Sequence, residues 1–381
     1  MTATITCNGD FLKQYVAKAY NIASKNSGDG VNSGIRLRYA GGALRLHATN
    51  MDVYYEGRFS AATDALFKAS GDEGSGGVVG STVLHKIMQS YKRGEMTITL
   101  GDTLIEMKSA DGAEYELPVH QDSADFPESA EADGAKGQVP TAMLKAVLER
   151  IYPCLSQNPS QNYAITGASL RASPRGFVFA ATDTAALIRV LLPTLVEGEM
   201  DVVIPRSGVA ALETFHDEHI TLIVAKGGVT ARTASESMFV MPVNQDYPNV
   251  NALIDSLQPR VSTTIAAGEL LDGLKRVNPV LGSADPVRFF VKSVDKLELQ
   301  AATSGRGRAK IEVNCKSGCP NVETLFYPDH LIAFLRAVPG AASKVLTWEI
   351  CAPLSNQTVA SRFSVEGDIL PFQYILTHVE A

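Results

Sequence analysis

The sequence predicts the α+β fold class, as three tandem copies of one unit in which two amphipathic helices lie on a mostly antiparallel sheet. Three observations carry this. A hairpin that ends in a threonine corner occurs three times, and the corner threonines Thr49, Thr182 and Thr303 stand 133 and 121 residues apart. A helix with apolar residues at helical spacing precedes each hairpin. An Asp-aromatic-Pro closure occurs twice, at Asp125-Phe126-Pro127 and Asp246-Tyr247-Pro248. The copies are placed at 1–133, 134–259 and 260–381.

In the first copy Leu12, Tyr15, Val16 and Ala19 give a helix its apolar face, with Lys18 and Lys25 on a polar stripe. Residues 35–39 and 44–50 alternate about Gly41-Gly42 as a hairpin. The glycine-rich 70–77 reads as a loop, because a phosphate-binding loop needs Gly-Lys-Ser/Thr at the start of a helix. A second helix over 82–91 turns Leu84, Ile87, Met88 and Tyr91 inward. A hairpin about Gly101-Asp102 follows, then a strand at 115–117 and an acidic linker at 128–137.

The second copy repeats the order: a helix with Leu144, Val147, Leu148 and Ile151, the Thr182 hairpin, a strand at 202–205, a helix with Val209, Leu212 and Phe215, and a hairpin about Gly227-Gly228. The third has Leu270, Leu271 and Leu274 on one helix and Leu331, Phe334, Leu335 and Val338 on the next, with strands at 345–350, 357–365 and 372–376. An open strand at each sheet edge gives the next copy something to pair with, so the copies are expected to stack edge to edge.

Composition narrows the function. The formal charge of −7 gives no global sign of a nucleic-acid binder. No apolar stretch approaches the ~18 residues of a membrane span, and no basic, apolar leader opens the chain, so no secretory signal is expected. Five scattered cysteines suit a reducing compartment. Cys315 and Cys319 form the only close pair, without a second pair to complete a zinc site. His216 and His219, with carboxylates between them, are the most enzyme-like cluster, yet they lack a third ligand. No nucleophile elbow or dinucleotide fingerprint is present, so neither catalytic residues, nor a metal, nor a cofactor is assigned.

The charge is unevenly distributed. The helical segments 10–25, 82–93 and 141–151 carry +2, +3 and +1, and the other three helical segments sum to zero. The remainder of the chain therefore carries −13. Cationic helices on an acidic body draw a polyanion to one surface.

On these residues the chain resembles the bacterial DNA sliding clamps, the beta subunits of DNA polymerase III. The anchors are Asp125-Phe126-Pro127, the stretch 163–167 with Ala181-Thr182-Asp183, the stretch 203–206 with Gly208-Val209, and Asp246-Tyr247-Pro248; order and spacing over the whole chain make the match. The resemblance implies a clamp fold closed into a head-to-tail homodimeric ring around double-stranded DNA, with the helices lining the hole. It implies phosphate-facing roles for Lys13, Lys18, Lys25, Lys86, Lys92, Arg93, Lys145, Arg150, Arg206, Lys275, Arg276 and Arg336, and DNA contact by Gln161 and Tyr163. Tyr115 and Leu117 are expected to meet Val280 and Leu281 of a second copy. A pocket for short peptides of the replicative polymerase, the clamp loader and other clamp-binding proteins is expected at Ile165, Thr182, Leu187, Pro248, Leu253, Ile375 and Val379. A cytoplasmic, nucleoid-associated protein without membrane contact follows. The chain departs from the family after the Thr-Asp corner, where Thr184-Ala185-Ala186 replaces the usual Gly-His-Arg, and its tail lacks the usual proline and large apolar end; the pocket rim is expected to lose a cation and gain room. The alternatives are a repeat scaffold that binds proteins alone, and a metal-dependent enzyme built on His216 and His219.

Overall fold

A computed structural model of the protein describes residues 1–25, 30–129, 133–159, 162–282, 285–338, 340–354, 357–365 and 367–379. The chain divides into two compact units, unit 1 comprising Met1–Gln138 with Ala210–Pro242 and unit 2 comprising Val139–Val209 with Val243–Ala381. The fold is α+β with antiparallel sheets. Among the described residues no helix is long and apolar enough to cross a membrane.

Unit 1 holds two sheets. In the smaller, the strand order is Lys68–Gly71, Thr2–Asn8, Glu95–Gly101, Leu104–Ser109, Glu114–Pro118, so the last of these is an edge strand. The larger runs His219–Ala225, Gly228–Arg232, Glu236–Val240, Val53–Phe59, Ala43–Thr49, Gly34–Ala40, Gly76–Gly80. Helices α1 (Gly9–Ile22) and α2 (Ser81–Ser90) bury Leu12, Val16, Ala19, Leu84 and Met88, as their apolar spacing requires. Asn8 starts α1 by accepting the Asp10 N–H on its side chain.

Unit 2 is organised on one twelve-stranded sheet. Its order is Met200–Ile204, Ala168–Ser173, Gly176–Thr182, Ala186–Pro193, Phe372–Thr377, Ala360–Val365, Val345–Cys351, Pro259–Ala266, Gly307–Ser317, Lys296–Thr303, Val287–Val291, Val322–Phe326. Helices α3 (Thr141–Ile151), α5 (Val250–Ser256), α6 (Ala267–Val277) and α7 (Pro328–Ala337) belong to it, while α4 (Arg206–Leu212) spans the division between units. Trp348, Phe289, Phe326, Phe363 and Tyr374 form an aromatic core with mostly edge-on or tilted rings.

Edge pairing between sequence-distant strands is present in both units. Glu236–Val240 pairs with Val53–Phe59 in unit 1, and Ala186–Pro193 pairs with Phe372–Thr377 in unit 2. These ladders cover edges that would otherwise be open.

The recurrent corner is the sharpest expression of the repeat. The second residue after each corner threonine has a left-handed backbone: Met51 at φ 75°, Thr184 at φ 79° and Gly305 at φ 80°. The Thr49 hydroxyl accepts the Met51 N–H at 2.9 Å, and the Thr182 hydroxyl accepts the Thr184 N–H at 3.2 Å. Such side-chain turns substitute for a backbone turn.

Two turns differ from the sequence reading by one residue. The turn read at Gly101-Asp102 falls on Asp102 and Thr103, because Gly101 is held in the ladder opposite Thr2. The turn read at Gly227-Gly228 falls on Lys226 and Gly227, since Gly228 pairs with Ala225. Gly41 and Gly42, both at positive φ, close their hairpin as expected of a tight two-residue turn.

Candidate functional site

The cations expected to face DNA separate into two groups. Lys86, Lys92, Arg93, Lys275, Arg276 and Arg336 are exposed on or just beyond α2, α6 and α7. Lys275 lies 4.0 Å from Asp272 one turn back, a solvated pair. Lys145 is half-buried on α3, and Tyr163 is half exposed in the short turn Tyr163–Thr166. Lys25 is exposed past the end of α1, with its ammonium 3.3 Å from the centre of the Tyr20 ring; that ring stacks on His85 of α2. Gln161 lies outside the described residues.

The other group is engaged by partners within the protein. Arg150 is buried, with its guanidinium on the Asp368 carboxylate at 3.3 Å and the Leu370 carbonyl at 3.0 Å. The expectation that it faces DNA is therefore corrected: a fully enclosed cation paired to a fully enclosed carboxylate is a structural ion pair. Lys18 is corrected for the same reason, being bound to both oxygens of buried Glu236 at 2.6 and 2.8 Å. That carboxylate also accepts the Tyr55 hydroxyl at 3.1 Å. Lys13 donates to the Gln89 and Tyr91 carbonyls at the end of α2, where a cation is favoured by the helix dipole. Arg206 stacks on Tyr152 and donates to the Leu155 carbonyl at 3.2 Å.

The expected peptide-pocket residues meet in part. Leu187 and Ile375 are directly opposite in neighbouring strands, and both pack with Val250, Ile254 and Leu257 in one aliphatic cluster. Tyr247 packs on that cluster, and its hydroxyl oxygen accepts the Thr182 N–H at 3.1 Å. Burial pushes the Tyr247 phenol up, so it stays neutral. Pro248 and Leu253 are exposed. Ile165 is buried at the turn before the second hairpin, outside the cluster. Val379 is half-buried and lines a groove of about 800 Å³ with Thr184, Leu325 and Thr377.

Helix α5, His330 and the contact between His330 and the already noted Asp183 escaped the sequence reading. Helix α5 supplies Val250 and Ile254, and its C-cap supplies Leu257; the signal was present as the N-cap Asn249 before apolar residues at i, i+4 and i+7. Asp183 completes its corner by accepting the Ala185 and Ala186 N–H groups, and its second oxygen lies 2.7 Å from His330 Nε2 on α7. His330, expected from no motif, thus places a titratable side chain beside the Thr182–Asp183 corner. The hydrogen bond and the Asp183 charge hold His330 above its ordinary value against the effect of burial. Burial acts to raise Asp183, but His330 and the two N–H groups hold it below the usual carboxylate range.

Of the residues expected at a contact between copies, Tyr115 is half exposed and Leu117 is buried, both on the edge strand Glu114–Pro118. Val280 is half exposed and Leu281 is buried. His216 and His219 are exposed at the connection that enters strand His219–Ala225, and among the described residues no group of three His, Cys, Asp or Glu side chains could hold a metal.

No protein-family model matches the chain, and no curated protein sequence matches it. Solved structures do match. The DNA polymerase III beta subunit from Thermotoga maritima is 16% identical with a TM-score of 0.84. The DNA polymerase sliding clamp from Bacillus subtilis is 14% identical with a TM-score of 0.85. The DNA polymerase III beta chain from Streptococcus pneumoniae is 17% identical, again with a TM-score of 0.85. Each likeness covers 100% of both chains. At these identities the likeness is one of fold: the chain has the fold of the sliding clamps along its whole length.

Proposed function

We propose that the protein acts as a DNA sliding clamp, a processivity factor that encircles duplex DNA and tethers the replicative polymerase, the clamp loader and other partner proteins. The observation that carries this reading is a fold alike over its full length to sliding clamps, joined to the exposed Lys86, Lys92 and Arg93 on and just beyond α2 in a chain whose net charge is −7. Phosphate contacts of this kind position without reading sequence, and they weaken steeply with salt. Durable attachment then comes from threading. The three repeats, at 1–133, 134–259 and 260–381, are the units from which the ring is built.

Ring closure follows from the free edges. The strand Glu114–Pro118 has one neighbour, and residues 307–314 pair on one side with Lys296–Thr303 while only 315–317 continue onto Pro259–Ala266. Glu116 on the first edge and Arg308 on the second are exposed and opposite in charge, which favours a head-to-tail contact between two copies. Tyr115 and Leu117 then meet Val280 and Leu281 of the other copy. The aliphatic cluster under α5, rimmed by Pro248 and Leu253, suits the few buried anchors of a short peptide.

The test loads the protein on nicked circular DNA and then linearises it. A clamp stays on the circle and runs off the linear form within the same salt; equal retention on both forms would sink the reading. In equilibrium binding, neutralising Arg276 or Arg336 should lower the salt slope by about 1 each without changing stability. Arg150→Met should instead act on folding.

A further inference from the structure

The larger sheet of unit 1 has one face on α1 and an opposite face that carries an unusual run of charge. Across five neighbouring strands the register places Arg36, His47, Glu56, Ser237 and Arg232 in one row. The adjacent row is Arg38, Arg45 and Arg58, three guanidinium groups directly opposite one another on successive strands. Like charges in facing positions destabilise a sheet, and a local rule broken in this way marks a place retained for something other than stability. Beyond these rows, Tyr54, Phe239 and Thr230 face each other.

These side chains line a cavity of about 450 Å³, with Phe126, Pro127 and Glu128 along its border. Among the described residues Arg36, Arg38, Arg45 and Arg58 line it against Glu56 and Glu128, while Arg232 has a partner of its own; a third carboxylate, Glu236, is already bound by Lys18 and Tyr55. Glu56 is shared by Arg45, Arg58 and His47 at 3.3 to 3.6 Å. Glu128 touches the Arg36 guanidinium only at 3.4 Å, with 70% of its side chain in solvent. Among the described residues, three buried polar atoms on this cavity have no hydrogen-bond partner: Arg36 Nε, His47 Nδ1 and the Thr230 hydroxyl. Arg36 is 9% exposed and Thr230 4%. Buried polar atoms are ordinarily satisfied, so three orphans on one basic cavity point to a missing ligand rich in oxygen.

We propose that this cavity binds a small phosphate-bearing anion of pyrophosphate size, held by Arg36, Arg38 and Arg45 with the Thr230 hydroxyl and His47 completing its hydrogen bonds. Guanidinium forks match phosphate oxygens two at a time, and a multiply charged anion offsets the two surplus cations where a single carboxylate does not. Glu128 occupies the place of a weak competitor. The Tyr54 and Phe239 rings, 6.1 Å apart and tilted, border the far end. The inference concerns unit 1 alone and does not rest on DNA encirclement.

Calorimetric titration of the full chain with pyrophosphate at low salt, repeated with ATP, tests it. Saturable binding of one pyrophosphate per chain is expected, with ATP competing for the same site. Arg38→Gln and Thr230→Val should each weaken binding about ten-fold, Glu128→Gln should tighten it several-fold, and Arg175→Gln in the exposed turn of the Thr182 hairpin should leave it unchanged. Circular dichroism and thermal melting check that each variant is folded; Arg38 is exposed, so its variant remains informative if Thr230→Val folds poorly. Absence of saturable pyrophosphate binding overturns the proposal. So does unchanged affinity in folded Arg38→Gln, or an equal loss in Arg175→Gln, which would reduce the effect to net charge.

Discussion

The corner at Thr49 in unit 1 and the corner at Thr182 in unit 2 are one backbone design with different chemistry. At the first, the Asn50 side-chain oxygen accepts the Asp52 and Val53 N–H groups at 3.0 and 2.8 Å. At the second, Asp183 Oδ1 accepts the Ala185 and Ala186 N–H groups at the same two distances. An amide completes the turn and stops there. A carboxylate completes it with one oxygen to spare, and that oxygen holds His330 of α7. The repeat is thus conserved as geometry, while a single atom decides whether a corner is only a turn or also ties the strand end to a helix beside the aliphatic cluster.

Truncation gives the largest separation between the two corners. Asp183→Ala removes the acceptor of two N–H groups and the partner of a charged histidine, so a loss of about 2–3 kcal/mol is expected in urea unfolding near pH 5. Asn50→Ala removes only the neutral turn bonds, and about 1 kcal/mol is expected. Equal losses at both positions would mean that the spare oxygen contributes nothing.

A change of pH isolates that oxygen. Asp183→Asn keeps an acceptor for the turn and loses only the charged pair. Asp183 titrates below its ordinary 3.8 in the folded chain, so its contribution is present above that value and fades as the pH falls through the lowered one. His330 titrates above its ordinary 6.5, so its contribution is complete below 6.5 and fades as the pH rises through the raised value. The stability gap between wild type and Asp183→Asn should therefore be widest between these limits, at about 1 kcal/mol, and should close on both sides. A gap that does not vary from pH 5 to pH 9 removes the histidine from the account.

The corner threonines could be read from the sequence because each ends an alternating hairpin at near-equal spacing, and helical periodicity likewise gave α1, α2, α3, α6 and α7 their buried faces. The partners of the corners could not. Asp183 and His330 are 147 residues apart, and no local pattern records a contact made only when α7 reaches the second hairpin. The same limit governs the cations. Lys18, Arg150 and Arg336 all sit on polar-looking helical positions, yet Glu236 and Asp368, each 218 residues away from its partner, bury the first two. Charge on a helix is legible in the sequence; whether a distant strand has already neutralised it is not. The edge ladders were anticipated from the repeat itself, since each copy leaves an unpaired strand. The arginine rows of unit 1 went unread because they arise only when five strands come into register.

The smallest effect tests the backbone itself. A left-handed conformation costs an L residue about 1–2 kcal/mol, and a β-branched side chain such as Thr184 is the poorest fit to it. Thr184→Gly relieves that strain but frees the unfolded chain, which returns about 0.5–1 kcal/mol of the gain. A net stabilisation of about 0.5 kcal/mol is expected at Thr184, and a smaller one at unbranched Met51. The third corner supplies the converse measurement. Gly305 has the same backbone, and a Cβ there would meet nothing within 4 Å. Gly305→Ala therefore reports the conformational cost without a packing clash, and a loss of about 1 kcal/mol is expected in thermal or urea unfolding. If Gly305→Ala costs nothing while Thr184→Gly stabilises, the strain at Thr184 comes from its neighbours in unit 2 and not from the shared corner. The three corners would then be alike only in outline.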